Sequence, residues 1–106
     1  LRHWILAFSS DEVKQFGSSV YPMLDHIARQ AAAYYGSQYQ IIYAVHMDRD
    51  HPHIHFVMNT VSYVTGRKYP GDKADYYAYQ KHLKDTLHPY GLYMMAVSDD
   101  GNRSDF

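Results

Sequence analysis

The sequence lacks cysteine, a clear excess of basic charge and any apolar run long enough to span a membrane. The absence of cysteine excludes a disulfide framework and fits a reducing cytosol. The absence of a signal peptide and of a long apolar run favours a cytoplasmic protein without membrane insertion. The formal net charge is −1 and the pI about 6.8, so composition alone does not indicate nucleic-acid binding.

The length of 106 residues suits one domain with a single modest core. We expect this domain to cover residues 1–97. Residues 98–106 consist almost wholly of polar side chains and are predicted to form a tail or a linker. The first residue is Leu1 rather than methionine, which suggests a fragment without its N-terminal segment.

Four of the eight histidines lie between residues 46 and 55. Residues 40–47 and 53–61 are rich in β-branched and aromatic side chains, which favour strands. The polar run between them, followed by a proline, favours a turn. Because side chains alternate along a strand, His53 and His55 share one face, and the hairpin places His46 beside them. The sequence therefore predicts three imidazoles on one face of a sheet.

Three neutral imidazoles can hold one divalent cation and leave positions open for water or substrate, as catalytic sites do. Without a carboxylate ligand the ion keeps its full charge, which suits the polarisation of a phosphate oxygen. An all-imidazole site binds zinc or nickel more tightly than manganese, so a purified sample can carry either. Because the ligands must be unprotonated, we expect metal affinity to fall below about pH 6.5.

Other polar side chains near the motif are candidates for supporting roles. Asp48 lies two residues after His46 and is predicted to accept a hydrogen bond from a ligand imidazole, or to orient the attacking group. Asn59, at the end of the second strand, is a candidate substrate contact. His51 in the loop and His3 on the first strand are candidates for contacts that support the ligands from outside.

The rest of the sequence predicts an α+β domain. A central strand over residues 2–9 is followed by a helix that starts at residue 18 or 19, ends near residue 35 and repeats apolar positions every three or four residues. After the two histidine strands come a helix over about 73–89 and a short strand over 93–97. The order βαββ…αβ predicts helices on one face of a mainly antiparallel sheet and an open face that carries the histidines.

The pattern His46-x-Asp48-x-x-His51-Pro52-His53-x-His55-x-x-x-Asn59 resembles the metal motif of the conjugative relaxases, or mobilisation nucleases, of the HUH endonuclease superfamily. The opening Arg2-His3-Trp4-Ile5-Leu6-Ala7-Phe8-Ser9 resembles the first strand of that domain. The resemblance covers about residues 2–95. It implies one divalent ion, Mn²⁺ or Mg²⁺ in the cell, held by the three histidines. It also implies metal-dependent, site- and strand-specific DNA nicking and strand transfer, which start conjugative transfer or plasmid mobilisation.

In that family a tyrosine, or in some branches a histidine, attacks the phosphodiester at the origin of transfer and becomes covalently joined to the 5′ end. The nucleophile normally lies upstream of the first strand, so the resemblance leaves open whether it lies within this chain. Within the chain, other HUH branches suggest Tyr76 and Tyr77, on a helix after the histidines. The implied partners are single-stranded DNA at an origin of transfer and accessory relaxosome proteins, in a bacterial cytoplasm.

Half of the ten lysine and arginine residues fall between residues 67 and 84. Among them, Arg67, Lys68 and Lys73 are candidate contacts to a DNA backbone, although a solvated surface explains such a cluster equally well. The chain also has twelve tyrosines, more than its core needs. Exposed aromatic faces suit the stacking of unpaired bases.

Two alternatives come from other classes of protein. A non-catalytic, metal-dependent single-stranded-DNA-binding module derived from a relaxase would show affinity without a covalent adduct. A cupin-like β-barrel metalloenzyme would need a glutamate shortly after the HxH pair, where this chain has Phe56-Val57-Met58-Asn59-Thr60. Two long amphipathic helices also fit a cupin poorly.

Overall fold

A computed structural model describes residues 1–47, 52–92 and 96–99. These residues form a four-stranded sheet and three α-helices, which confirms the predicted α+β class. In chain order the elements are β1 (Arg2–Ala7), α1 (Ser10–Lys14), α2 (Val20–Gly36), β2 (Ile41–His46), β3 (His53–Met58), α3 (Lys73–Leu87) and β4 (Ala96–Asp99). Short 3-10 turns precede α2 and follow α3. No helix in the described ranges is long and apolar enough to cross a membrane.

The strands lie in the order β2-β3-β1-β4, and each is antiparallel to its neighbours. β2 and β3 form the predicted hairpin, in which His46 lies opposite His53 and Ile41 lies opposite Met58. β1 is bonded on both sides, to β3 and β4, as predicted for a central strand. The register of the hairpin is therefore the one that brings the histidines of the two strands together.

Alternation along the strands separates two faces of the sheet. On one face the side chains are buried beneath the helices, and these include Trp4, Leu6, Ile54, Phe56 and Met58. On the other face the side chains of the same strands are half-buried or exposed, and these include His3, Ile5, His53, His55 and Val57. Within the described ranges no helix covers this second face, as the predicted layering requires.

The helix ends are set by polar caps. The hydroxyl of Ser9 accepts the backbone N–H of Glu12 at 3.1 Å, and the Glu12 side chain turns back to Ser9, so α1 begins with a capping box. Asp72 caps α3, accepting the backbone N–H of Asp75 at 2.8 Å. Gly91, at φ 70°, ends the turn that follows α3 in the left-handed conformation that glycine adopts without strain.

The core lies between the sheet and the two long helices, α2 and α3. Trp4 is its largest member, stacked on Phe56 at 5.3 Å between ring centres and met edge-on by Tyr79 at 5.8 Å. From α2 the core receives seven side chains on one face of the helix, among them Leu24, Ile27 and Ala31, which are spaced three or four residues apart. Burial of these side chains at roughly 25 cal/mol per Å² of apolar surface supplies the main stabilisation of a domain this small.

One charged side chain, Arg2, is buried in the same layer, with 3% of its surface exposed. Its guanidinium carbon lies 4.8 Å from the centre of the Trp4 ring, and its Nη1 donates to the Tyr69 hydroxyl at 2.9 Å. The hydroxyls of Tyr69 and Tyr35 both donate to Oδ2 of Asp75. A tyrosine hydroxyl thus connects the buried cation to a carboxylate, the kind of partner that a buried charge needs.

Several boundaries differ from the predictions, among them the end of β1, which stops at Ala7 rather than at residue 9. The second histidine strand ends at Met58 rather than near residue 61, because Asn59 starts a turn by accepting the N–H of Val61 at 3.0 Å. α3 ends at Leu87, and the rest of the predicted helix forms a 3-10 turn. β4 continues to Asp99, two residues into the predicted tail, and the predicted start of this strand at residues 93–95 lies outside the described residues.

Burial raises the pKa of Tyr69 to about 12, and it also raises the pKa values of Tyr35 and Tyr79. In an unfolded chain a tyrosine ionises near pH 10. Above that pH the folded protein therefore keeps protons that the unfolded chain has released. Since the unfolded state then binds fewer protons, stability falls as pH rises.

We expect a Tyr69→Phe variant to lose stability less steeply than the unmodified protein between pH 10 and about 12, because it no longer holds the Tyr69 proton. The free energy of unfolding, measured by denaturant titration across this range, gives the two slopes. A matched control is Tyr21→Phe, at a tyrosine on α2 that is 52% exposed. Equal slopes for the unmodified protein and Tyr69→Phe would contradict this account of the buried hydroxyl.

Candidate metal centre

The hairpin of β2 and β3 brings three histidines to the open face of the sheet. His46 and His53 are opposite each other in the register, and His55 lies two residues further along β3, on the same face. The ring centres are 4.9 Å apart for His46 and His53, 4.4 Å for His46 and His55, and 4.8 Å for His53 and His55. The structure therefore brings together the three histidines that the sequence predicts as metal ligands.

The distances fit one shared cation. One ring nitrogen from each histidine can be chosen so that all three lie within 4.8 Å of one another. Imidazole nitrogens bind zinc at about 2.1 Å, so nitrogens that share an ion are about 3–4 Å apart. Small rotations of the side chains close the remaining gap without moving the strands. His53 and His55 are half-buried and His46 is exposed. The two side chains of β3 are therefore partly enclosed by their neighbours, and the cluster is accessible to solvent at His46.

Two of the neighbours of the histidines across the strands are small. On the same face, His55 lies between Ala44 of β2 and Ile5 of β1, and His53 lies between His46 of β2 and Ala7 of β1. Each alanine offers only a methyl group beside an imidazole, so the strands crowd the cluster least at these two positions.

His3 on β1 extends the cluster to a fourth imidazole. Its Nε2 lies 3.2 Å from Nδ1 of His55, and the two rings are stacked with centres 5.4 Å apart. The contact is diagonal across the strands, because the residue directly opposite His3 is Val57. Because Nδ1 of His55 makes this contact, Nε2 is the ring nitrogen of His55 that remains to bind a metal.

Two of the predicted supporting residues, Asp48 and His51, lie outside the described residues. Asn59 is described and lies one residue beyond the end of β3, on the exposed surface. Its side-chain oxygen accepts the N–H of Val61, so the described role of Asn59 is to hold a turn. Its predicted contact with substrate stays a prediction.

The two candidate tyrosines are on α3, which lies on the helix-covered side of the sheet. Tyr79 and Leu83 of this helix are in the core, and the Tyr79 ring meets Trp4 edge-on. Tyr77 is 66% exposed, and Tyr76 beside it is half-buried. The structure does not bring either tyrosine to the histidines, which lie on the opposite face. A nucleophilic role for either stays a prediction.

The three basic candidates lie at the other end of the domain. Arg67 and Lys68 are exposed in the segment after β3, where Lys68 forms a bridge with Val61, and Lys73 starts α3. This is the end of the sheet where β3 finishes, about 15 Å along the strand from His53. These cations therefore lie away from the three histidines, and their contact with a DNA backbone stays a prediction.

Comparison with protein families matches residues 1–92 to the relaxases, in the group described as the MobA/VirD2-like nuclease domain. The match covers β1, β2 and β3, both long helices and all three histidines of the cluster. The chain therefore belongs to the relaxase family. This confirms the resemblance found in the sequence and supports DNA nicking as the general activity of the domain. A search of curated proteins gives no match to the chain.

We expect His46→Ala, His53→Ala and His55→Ala each to lower Mn²⁺ affinity by at least about a hundredfold, since each removes one of three ligands. Calorimetric titration measures the affinity, and His26→Ala on the exposed face of α2 is the matched control. Lowering the pH from about 7.5 to about 5.5 should weaken binding to the unmodified protein, because protonated imidazoles do not bind metals. An affinity unchanged by the substitutions or by pH would contradict ligation by this cluster.

Proposed function

We propose that this chain is an HUH-type DNA endonuclease that nicks one strand at an origin of transfer and joins itself to the cut end through a tyrosine. In this role it starts conjugative transfer or plasmid mobilisation in the bacterial cytoplasm, together with accessory relaxosome proteins. The observation that carries the proposal is the cluster of three imidazoles on the open face of a relaxase-family sheet.

His46, His53 and His55 would hold one divalent ion, Mn²⁺ or Mg²⁺ in the cell, with zinc or nickel as alternatives in a purified sample. When bound, the ion supplies a Lewis acid that draws charge from the scissile phosphate. The protein would hold the three ligands rigidly, since they come from β2 and β3, which are paired with each other along their whole length. Fixed ligands position a phosphate for in-line attack without the entropic cost of ordering it during the reaction.

The covalent step exchanges one phosphodiester for another. A tyrosyl oxygen forms a bond to phosphorus while the bond between phosphorus and the 3′ oxygen breaks. The 5′ end of the DNA stays on the tyrosine, and the other strand end leaves as a 3′ hydroxyl. The tyrosine proton passes to a base, for which Asp48 is the candidate, and the leaving oxygen takes a proton from solvent.

Tyr76 and Tyr77 are the candidates for this tyrosine within the chain. Both are on α3, on the helix-covered side of the sheet, whereas the histidines lie on the open face. A DNA strand bound at the histidines would therefore have to pass around the edge of the sheet to reach either tyrosine. Asn59, Arg67, Lys68 and Lys73 are proposed to contact the DNA outside the reacting group. Among them the exposed cations suit contacts to phosphates, which position a strand without reading its sequence.

His3 is proposed to orient the His55 ring. A neutral imidazole that binds a metal through Nε2 carries its proton on Nδ1, and Nδ1 of His55 lies 3.2 Å from Nε2 of His3. His55 would then donate to His3, which holds the ring in the tautomer that the metal needs. His51 is the other histidine proposed to support the site.

Nicking of a supercoiled plasmid that carries the cognate origin should require the histidine cluster. We expect His55→Ala to slow the appearance of open-circular DNA by at least about a hundredfold in Mn²⁺, because the loss of metal-bound charge stabilisation costs several kcal/mol. His26→Ala should nick at the unmodified rate. Equal nicking in the presence of excess EDTA would contradict the metal role.

The protein–DNA adduct from the same reaction, resolved on a denaturing gel, tests the covalent step. Loss of the adduct in Tyr76→Phe or Tyr77→Phe alone would assign the nucleophile to that residue. An adduct in both variants would place the attacking hydroxyl elsewhere. Strand binding with no adduct under any condition would favour the non-catalytic DNA-binding module over the nuclease.

The role of His3 makes a prediction about metal affinity that depends on hydrogen bonding. We expect His3→Phe to weaken Mn²⁺ binding by about 10–100-fold, since it fills the space without accepting the His55 proton. His3→Gln retains an acceptor and should recover most of the affinity, and His3→Glu should bind at least as tightly as the unmodified protein. Equal affinities for the Phe and Glu variants would show that His3 fills space only.

A further inference from the structure

A concave site lies on the other side of the domain from the histidines, where α2 ends and α3 begins. It has a volume of about 360 Å³. Half of the residues that line it are tyrosines, and we call it the tyrosine pocket: Tyr34, Tyr35, Tyr39 and Tyr69, with Gln38 and Asp75 among its polar residues. A cavity of this size with aromatic walls and a few polar groups is typical of small-ligand sites.

The rings in the pocket leave an aromatic face for a ligand. Tyr39 meets Tyr35 at an interplanar angle of 75° and Tyr69 at 80°, with ring centres 6.5 Å and 5.6 Å apart. Among the described residues, no ring is stacked flat on Tyr39. Tyr39 is also half-buried, so its position is held while part of its ring is accessible. A flat ligand can stack there as bases do on aromatic platforms.

The polar groups of the pocket suit the edge of a base. Oδ2 of Asp75 is occupied by the hydroxyls of Tyr35 and Tyr69. Within the described part of the chain, Oδ1 of Asp75 and the side-chain amide of Gln38 make no hydrogen bond. A carboxylate oxygen accepts from ring or exocyclic N–H groups, and an amide both donates and accepts. An anionic ligand would be repelled by Asp75, so the pocket selects a base rather than a phosphate.

The segments next to the pocket carry three cations and, besides Asp75 in the lining, one carboxylate, that of Asp72. Lys68 immediately precedes Tyr69 in the chain, Arg67 precedes Lys68, and Lys73 lies two residues before Asp75. All three are exposed, and none forms an ion pair with another described residue. Cations around an aromatic pocket match a polyanionic strand that inserts one base.

We propose that the tyrosine pocket binds one base of a single-stranded DNA chain, stacked on Tyr39, while Arg67, Lys68 and Lys73 contact the phosphates beside it. This inference rests on the proposed function, because it assumes that single-stranded DNA is the substrate. The pocket lies at the opposite end of the sheet from His53, so the bound base is several nucleotides from the nicked phosphate. Binding there would fix the register of the strand over the histidines.

The test compares two labelled probes of equal length, an oligothymidylate of about twelve nucleotides and the same sugar–phosphate chain without bases. Fluorescence anisotropy with EDTA present gives the dissociation constant of each, and their ratio reports what the bases contribute. We expect Tyr39→Ala to lower this ratio by about fivefold or more, the effect of losing one stacked base. Tyr39→Phe should retain the ratio, because it keeps the aromatic face.

Tyr21→Ala is the control, since it removes an exposed tyrosine of α2 outside the pocket. It should leave the ratio unchanged, and circular dichroism should show that each variant is folded. A ratio in Tyr39→Ala equal to that of the unmodified protein, with binding retained, would overturn the pocket and leave the nuclease proposal intact. No affinity of the unmodified protein for either probe would count against the proposed function itself.

Discussion

The pairing register of β2 and β3 is the constraint on which the candidate site depends. His46 lies opposite His53, and His55 follows on the same face. A shift of one residue in either strand would turn its side chains to the other face and bury imidazoles among the core residues. Core packing also stabilises this register, since Ile54, Phe56 and Met58 are fully buried on the helix-covered face of β3. Core packing and ligand geometry are thus two consequences of one alignment.

The layering of the domain decides what the rest of the chain can contribute. Because α2 and α3 cover one face, side chains on that face serve the core, and the other face is left for the histidines and a substrate. Arg2 lies on the covered face and is therefore a buried charge. Its guanidinium lies over the Trp4 ring, and the Tyr69 hydroxyl connects it to the carboxylate of Asp75. The tyrosine pocket lies beside this buried cluster, so one set of tyrosines serves both packing and the inferred base site.

Much of the fold and the metal cluster could be predicted because the signals are local. The two-residue period of His53 and His55, the polar turn before Pro52 and the three- and four-residue spacing of α2 all act within a few positions. The contact of His3 with His55 could not be read in this way, because it depends on which strand lies beside β3. The burial of Arg2 could not be predicted for the same reason. The alternation of side chains along β1 shows which face of the sheet Arg2 lies on, but not which elements cover that face.

Side-chain hydrogen bonds to the backbone set some of the element boundaries. The strand-forming residues on both sides of Asn59 predicted that the strand continues through it. In the structure its short amide side chain instead accepts a backbone N–H and starts a turn. The capping box of Ser9 and Glu12 likewise sets the start of α1. In both cases a side-chain hydrogen bond to the backbone decided the boundary, which apolar periodicity does not report.

The central claim is that one divalent ion is held by three imidazoles of the hairpin. Pulsed electron paramagnetic resonance of the Mn²⁺-loaded protein, labelled with ¹⁵N-histidine, counts the histidine nitrogens bound to the ion. The account predicts one ion per chain coupled to three such nitrogens, and two in His53→Ala. A manganese signal with no histidine coupling, or one unchanged in that variant, would contradict it.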